Sequence, residues 1–207
     1  MFDYIDVHSH VNFVAFDADR DETVKRALDS GVYMINVGTQ VDTSKKAIEM
    51  AEKYDKGVYA IIGLHPVHTD KSFHDEKELG EGGKEFTSRG EVFDENAYRD
   101  MAKHPKVVGI GECGLDYYRL ELESERKQRE AFSSQIDVAN ESGKPLMLHV
   151  RNGSDKSAYR DALAILKSEA KVRGDFHFFA GSWDEAKEIL DAGFNISFTG
   201  VITFARN

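Results

Sequence analysis

An α/β fold of parallel strands and crossover helices is what this sequence predicts, on three observations. Short runs rich in Val, Ile and Phe recur along the chain, helical patterns with legible ends follow most of them, and histidine or acidic side chains stand at the ends of several of the runs. The 207 residues, 41% hydrophobic and 31% charged, suit one sizeable core. That composition excludes a disordered chain, a collagen and a small disulfide scaffold. The single cysteine, Cys113, has no internal disulfide partner, which agrees with a reducing compartment. No apolar run approaches the ~18 residues of a membrane span. The opening Met-Phe-Asp-Tyr-Ile-Asp carries acids where a signal peptide carries basic residues, so a cytoplasmic protein without membrane contact is expected. Acids outnumber bases 37 to 27, a net charge of −10, which disfavours a broad basic footprint on duplex nucleic acid. A phosphate-bearing ligand would need a local positive charge.

Seven strands are predicted, near residues 4–8, 32–37, 58–63, 107–112, 145–150, 175–179 and 194–198. Asp19 and Ser182 each precede a glutamate by three residues, Glu22 and Glu185, in capping-box spacing; Gly31, Gly57, Gly143 and Gly193 follow the last helical turns. From about residue 124 to 142, Ala131, Phe132, Ile136 and Ala139 recur at helical spacing and define one apolar face. Residues 67–96, dense in Asp, Glu, Lys and Gly, predict a long polar insertion loop on the ligand-binding face. No repeat, low-complexity tract or linker divides the chain, so residues 1–207 are expected to form one domain. Seven βα steps suggest a barrel that normally has eight. A doubly wound open sheet tolerates seven strands but calls for a Gly-rich nucleotide turn after the first strand, where this chain has histidines.

The densest chemical signal is Asp6-Val7-His8-Ser9-His10, whose two-residue period puts Asp6, His8 and His10 on one side of the first strand. Imidazoles are ready ligands for Zn²⁺, Mn²⁺ and similar ions, and the Asp6 carboxylate could orient one ring. Taken alone, such a pair is as readily a surface or turn feature. The fourth strand delivers Glu112 after an apolar, glycine-interrupted run, where a metal or a basic residue would offset the desolvation of its charge. The fifth ends His149-Val150-Arg151, and the sixth contains His177. Five candidate ligands at matching strand ends form a shared metal site in the manner of a barrel enzyme.

Several longer motifs accompany these residues: Gly63-Leu64-His65-Pro66, the run from Gly111 to Tyr118, Gln128-Arg129-Glu130-Ala131-Phe132, the run from Pro145 to Arg151, and His177 followed by an aromatic and Gly181. In these the sequence resembles the TatD-type metal-dependent deoxyribonucleases of the amidohydrolase-like barrel superfamily, from Asp6 to about Ala205. The resemblance implies a (β/α)8 TIM barrel with two divalent metal ions (Mg, Mn or Zn). His8 and His10 would hold one ion, His149 and His177 the other, and Glu112 would bridge them. It implies hydrolysis of nucleic-acid phosphodiesters by a water that the two ions activate, with single-stranded DNA ends as substrate, RNA as a second substrate and a monomeric enzyme. The family pattern also requires an aspartate after an eighth strand. The sequence ends before that position, so a C-terminally incomplete barrel is expected, weakly stable and weakly active, with an extension of about fifty residues restoring the enzyme. Phe178 stands where the family usually has cysteine, a departure expected to change packing only.

The remaining candidates carry two readings each. Arg151 is a phosphate ligand or a structural ion pair, and His65 a substrate-contacting group or a loop histidine. Asp116 positions Arg151 or a bound water, or simply forms a turn. Tyr117 and Tyr118 stack a base or fill the core. His68, His74 and His104 are expected to be solvated, Cys113 buried, and Asp155 to sit in a helix-capping region. A metal-dependent amidohydrolase or deacylase is the alternative enzyme, since fold does not determine substrate. A metal-binding interaction module that contacts partners through 67–96 is the alternative outside catalysis.

Overall fold

The computed structural model describes residues 2–71, 73–74, 86–87, 90–118 and 122–203. Its strands in chain order are β1 (Tyr4–Ser9), β2 (Val32–Val37), β3 (Val58–Ile62), β4 (Phe73–His74), β5 (Phe86–Thr87), β6 (Val107–Asp116), β7 (Leu146–Arg151), β8 (Gly174–Phe176) and β9 (Asn195–Ile196). Among the described residues there are six α-helices: α1 (Arg20–Asp29), α2 (Val41–Glu52), α3 (Glu95–Ala102), α4 (Leu122–Ser142), α5 (Ala158–Glu169) and α6 (Trp183–Asp191).

All strands but β4 and β5 join one parallel sheet in the order β1-β2-β3-β6-β7-β8-β9. Sheet order follows chain order throughout, so there is no reversal point of the kind that defines a doubly wound sheet. The sheet also curls. In a flat sheet, β1 and β8 would lie five spacings of about 4.8 Å apart, some 24 Å, yet the His8 and His177 rings stack at 3.8 Å. This is the arc of a barrel, with the ligand-bearing strand ends turned towards one another.

Alternation along the strands sorts the two faces. Ile62, Leu148 and Phe176 face outward into the large core, where Ala47, Tyr98, Phe132, Ile136, Leu163 and Ile189 of the helices cover them. Their neighbours Ile61 and Met147 face the other way and meet Val37 in a small inner cluster. His149 and Arg151 share the inner parity with Met147, which carries the motif's polar ends into the barrel mouth. The predicted apolar face of α4 is buried at Ala131, Phe132, Ile136 and Ala139.

Some local expectations need correction. Ser182 forms the predicted capping box with Glu185, but Asp19 holds the N-cap position of α1 without a side-chain cap bond. Ser157 caps α5, two residues beyond Asp155. The sixth predicted strand stops at Phe176, which leaves His177 in the turn that follows. The 67–96 segment is not uniformly loop: a 3-10 turn spans Pro66–Thr69, β4 and β5 pair antiparallel, and α3 begins at Glu95. The rest of the insertion, 72, 75–85 and 88–89, lies outside the described residues, as does the side chain of His74. His68 is half-buried with its ring 5.7 Å from that of His65, and His104 bonds Glu52 at 3.0 Å, so neither is simply solvated.

Candidate metal centre

β1 delivers the first imidazoles. Its last residue is anchored by Ser9 Oγ, which donates to the Ile35 carbonyl at 3.1 Å and to Asn36 Oδ1 at 3.2 Å. His10, one residue on, has Nδ1 3.0 Å from the Val37 carbonyl. A ring nitrogen that donates there leaves Nε2 bare and aimed inward. His8 Nε2 lies 3.2 Å from His10 Nε2. Asp6 does not orient either ring; its Oδ1 accepts the His8 backbone N–H.

β6 delivers the centrepiece. Glu112 is buried, and the glycines around it are what let β6 and β7 approach so closely: a Cβ on Gly111 would stand 2.3 Å from the Met147 carbonyl oxygen, and one on Gly114 2.2 Å from that of His149. Both have positive φ as well, 149° and 137°. Five imidazoles face the two carboxylate oxygens. His8 Nε2 and His10 Nε2 stand 3.4 and 3.7 Å from Oε2. His177 Nε2, His149 Nδ1 and His65 Nε2 stand 2.6, 3.1 and 3.5 Å from Oε1. Among the described residues, no lysine or arginine reaches this carboxylate.

Grouped by mutual distance, His8, Glu112 and His177 form one set of candidate ligand atoms and His65, Glu112 and His149 a second, each within 4.8 Å. The geometry thus draws His65 among the ligand-bearing residues. Asp116, last in β6, meets His149 Nε2 through Oδ2 at 2.8 Å and accepts the Tyr118 N–H through Oδ1, so its contact is with His149 rather than Arg151. The Arg151 guanidinium sits over Tyr118, its carbon 3.6 Å from the ring centroid. Tyr117 is core: it is 3% exposed, and its hydroxyl donates to Asp161 and accepts from Arg129. Only Tyr118 of the pair is open to solvent. Cys113 is buried, as expected.

Burial alone would raise the Glu112 pKa, but the His65, His149 and His177 imidazoles outweigh it and hold the carboxyl well below its usual range. His149 has a carboxylate on each nitrogen, Glu112 and Asp116, and only the doubly protonated ring satisfies both. Against the opposing effect of burial, those carboxylates raise its pKa to about 9. Burial pushes His65 down to about 4 and lowers His10 and His177 as well, so these rings are neutral donors of lone pairs.

A divalent cation suits this donor set. One buried carboxylate surrounded mostly by neutral imidazoles is under-compensated in charge. Two imidazole nitrogens facing each other at 3.2 Å cannot both be acceptors, and that spacing is what two ligands about 2.1 Å from one shared ion adopt. His, Glu and Asp donors together suit Zn²⁺, Mn²⁺ or Mg²⁺.

Sequence reasoning gave no role to the residues that hold these groups, although Gln128 lies in one of the motifs above. Gln128 clamps Asp116, accepting from its N–H and donating to its carbonyl. Gln135 does the same for Leu64, beside His65. Asn36 Oδ1 accepts from Ser9 Oγ and the Val11 N–H. The two glutamines stand seven residues apart on the buried stripe of α4, and a polar residue within an apolar helical stripe was the available signal.

A curled parallel sheet with its donors at the C-terminal strand ends defines the class of metal-dependent barrel hydrolases. The family model for TatD related DNase matches residues 5–207. The chain belongs to this family. It is 34% identical over 202 residues to the uncharacterized metal-dependent hydrolase YabD of Bacillus subtilis, covering 96% of this chain and 69% of that protein. It is 34% identical to the 3'-5' ssDNA/RNA exonuclease TatD of Klebsiella pneumoniae, covering 94% and 66%. The crystal structure of the TatD homologue YjjV from Escherichia coli superposes with a TM-score of 0.74 at 25% identity, over 97% of this chain and 70% of that one. The chain therefore spans about two thirds of the length of the relatives it matches.

Proposed function

We propose that this protein is a metal-dependent phosphodiesterase that trims nucleic acid from single-stranded ends, with DNA as substrate and RNA as a second one. The observation that carries this reading is Glu112: a single buried carboxylate with His8 and His10 on one oxygen and His65, His149 and His177 on the other. Grouped by mutual distance, His8 and His177 form one set with Glu112 and His65 and His149 another, and two sets that share one carboxylate support two divalent ions, because a carboxylate offers an oxygen to each and its charge offsets part of their repulsion. The names of similar proteins, which include single-strand exonucleases, support the substrate class.

When bound, such ions lower the pKa of a water and polarise phosphoryl oxygens. The rest falls to the chain. Glu112 and the imidazoles would hold the ions, and Asp116, itself held by Gln128, positions His149. Arg151 is the candidate for a phosphate oxygen, since it ends the strand that carries His149 and its guanidinium carbon sits over the Tyr118 ring, 3.6 Å from the centroid. Divalent ions in this cleft would supply the local positive charge that reconciles the acidic chain with an anionic substrate, because a strand end needs far less basic surface than a duplex does.

The test is to incubate the protein with Mg²⁺ or Mn²⁺ and a single-stranded oligonucleotide, beside a panel of acyl esters and amides. Nucleotide release that a chelator abolishes is the expected outcome. Acyl release without nucleotide release would make the protein a deacylase.

A further inference from the structure

Phe178 does not do what a buried replacement for cysteine would do. Its neighbours in sequence are absorbed by the fold: Phe176 is fully buried, and Phe179 packs on Tyr159 with ring centroids 5.0 Å apart. Phe178 itself is 44% exposed, with its ring 6.4 Å from that of the candidate ligand His177, so it does not fill the core as its neighbours do. Its backbone is also unusual. Among the described residues it is the one non-glycine with positive φ, 51°, a region that costs a bulky side chain free energy and that glycine adopts freely. The strained residue sits in a segment otherwise tied down. His177 N donates to the Leu148 carbonyl, Phe179 N to the Ser197 carbonyl and Ala180 N to the Tyr159 hydroxyl, at 3.1, 2.9 and 3.0 Å. The chain is thus pinned on both sides of a turn that throws one aromatic ring out of the sheet beside the metal centre.

We infer that Phe178 is a substrate-positioning residue, a preorganised platform that stacks on a base of the single-stranded substrate next to the scissile phosphate. A ring held by fixed backbone on both sides loses little freedom when a base settles on it, and stacking accepts any base, as an end-trimming enzyme requires. A purely structural residue at this position would be better served by glycine. The inference rests on the nucleic-acid reading above.

The test uses the full chain with Mn²⁺ and a short single-stranded DNA, and follows KM and kcat. Phe178→Ala is expected to raise KM about ten-fold with a smaller change in kcat, and Phe178→Trp to restore tight binding. Phe178→Leu, apolar but without a π-face, should behave like the alanine variant. Phe178→Gly is expected to lose the same affinity while melting no lower than the parent, because it relieves the backbone; that separates lost stacking from lost folding. An oligonucleotide lacking the base nearest the cleaved bond should couple with the ring: removing ring and base together should weaken binding no further than removing either. If the parent protein cleaves DNA and Phe178→Ala leaves its KM unchanged, or if Leu serves as well as Trp, the inference is wrong. If the parent cleaves no nucleic acid at all, the underlying functional reading is what fails.

Discussion

β1 and β6 both carry candidate ligands to the same point, yet they are held in opposite ways. β6 runs for ten residues in the interior of the sheet, paired with β3 and β7, and nearly all of it is buried. β1 pairs with β2 alone among the described strands, and Tyr4, Ile5 and Val7 along it are exposed. The position of Glu112 is therefore over-determined by packing, whereas His8 and His10 depend on a few polar anchors: Ser9 on Asn36, Val11 on Asn36, and His10 on the Val37 carbonyl. One half of the centre is built by the core and the other by hydrogen bonds. Perturbing each half should accordingly change different observables.

The largest effect is expected where the halves meet. Glu112→Gln keeps the shape of the side chain but removes the charge that faces all five imidazoles. Hydrolysis should fall on the order of a thousand-fold, and calorimetric titration should show weakened binding of both ions rather than one. Loss of a single binding step with the other intact would mean that Glu112 does not bridge.

Next come paired variants that separate the halves. Asn36→Ala leaves the buried Val11 N–H without its acceptor and the Ser9 hydroxyl with the Ile35 carbonyl alone, at a cost of about 2 kcal/mol, a fall in Tm on the order of 5 °C. Because those bonds seat His8 and His10, metal affinity should fall with stability. Gln135→Ala frees both backbone groups of Leu64 at a similar cost of about 2 kcal/mol. There the neighbouring chain keeps further ties, since His65 N still donates to the Thr39 carbonyl and Val67 N to His65 Nδ1, so metal affinity should hardly change. Equal losses of metal affinity in the two variants would dissolve the distinction between a packed half and an anchored half.

The same distinction explains how much of the molecule was legible in the sequence. The strands, the α4 stripe and the ligands at strand ends follow from periodicity, because burial imposes a repeat of two or 3.6 on the residues that face the core. Gly111 and Gly114 mark in sequence where backbones close on each other. The clamping roles of Asn36, Gln128 and Gln135 were not legible because each bonds a backbone group elsewhere in the chain, and no local pattern encodes that partner. The grouping of His177 beside His8 was equally invisible: their rings stack only because the sheet curls, a property of strand twist summed over six strands. Tyr117 and Tyr118, adjacent and chemically alike, could not be divided into core and surface without knowing where β6 ends.

The smallest expected effect concerns the helix starts on the two sides of the barrel. Ser182 and Asp19 have the same three-residue spacing to a glutamate, but only Ser182 makes the reciprocal bonds: its Oγ accepts the Glu185 N–H at 3.3 Å while the Glu185 carboxylate accepts the Ser182 N–H at 2.7 Å. Glu185 further accepts from Asn152 and Ser157, so this cap also ties the start of α6 to the loop beyond β7. Asp19 makes no cap bond and contributes through its charge at the helix N-terminus alone. Ser182→Ala should therefore cost about 1 kcal/mol, and Asp19→Ala a few tenths. Chemical denaturation of the two variants measures the difference directly. If Asp19→Ala proved as costly as Ser182→Ala, the α1 start would be capped in solution, and the β1 side of the barrel would be more firmly held than its hydrogen bonds suggest.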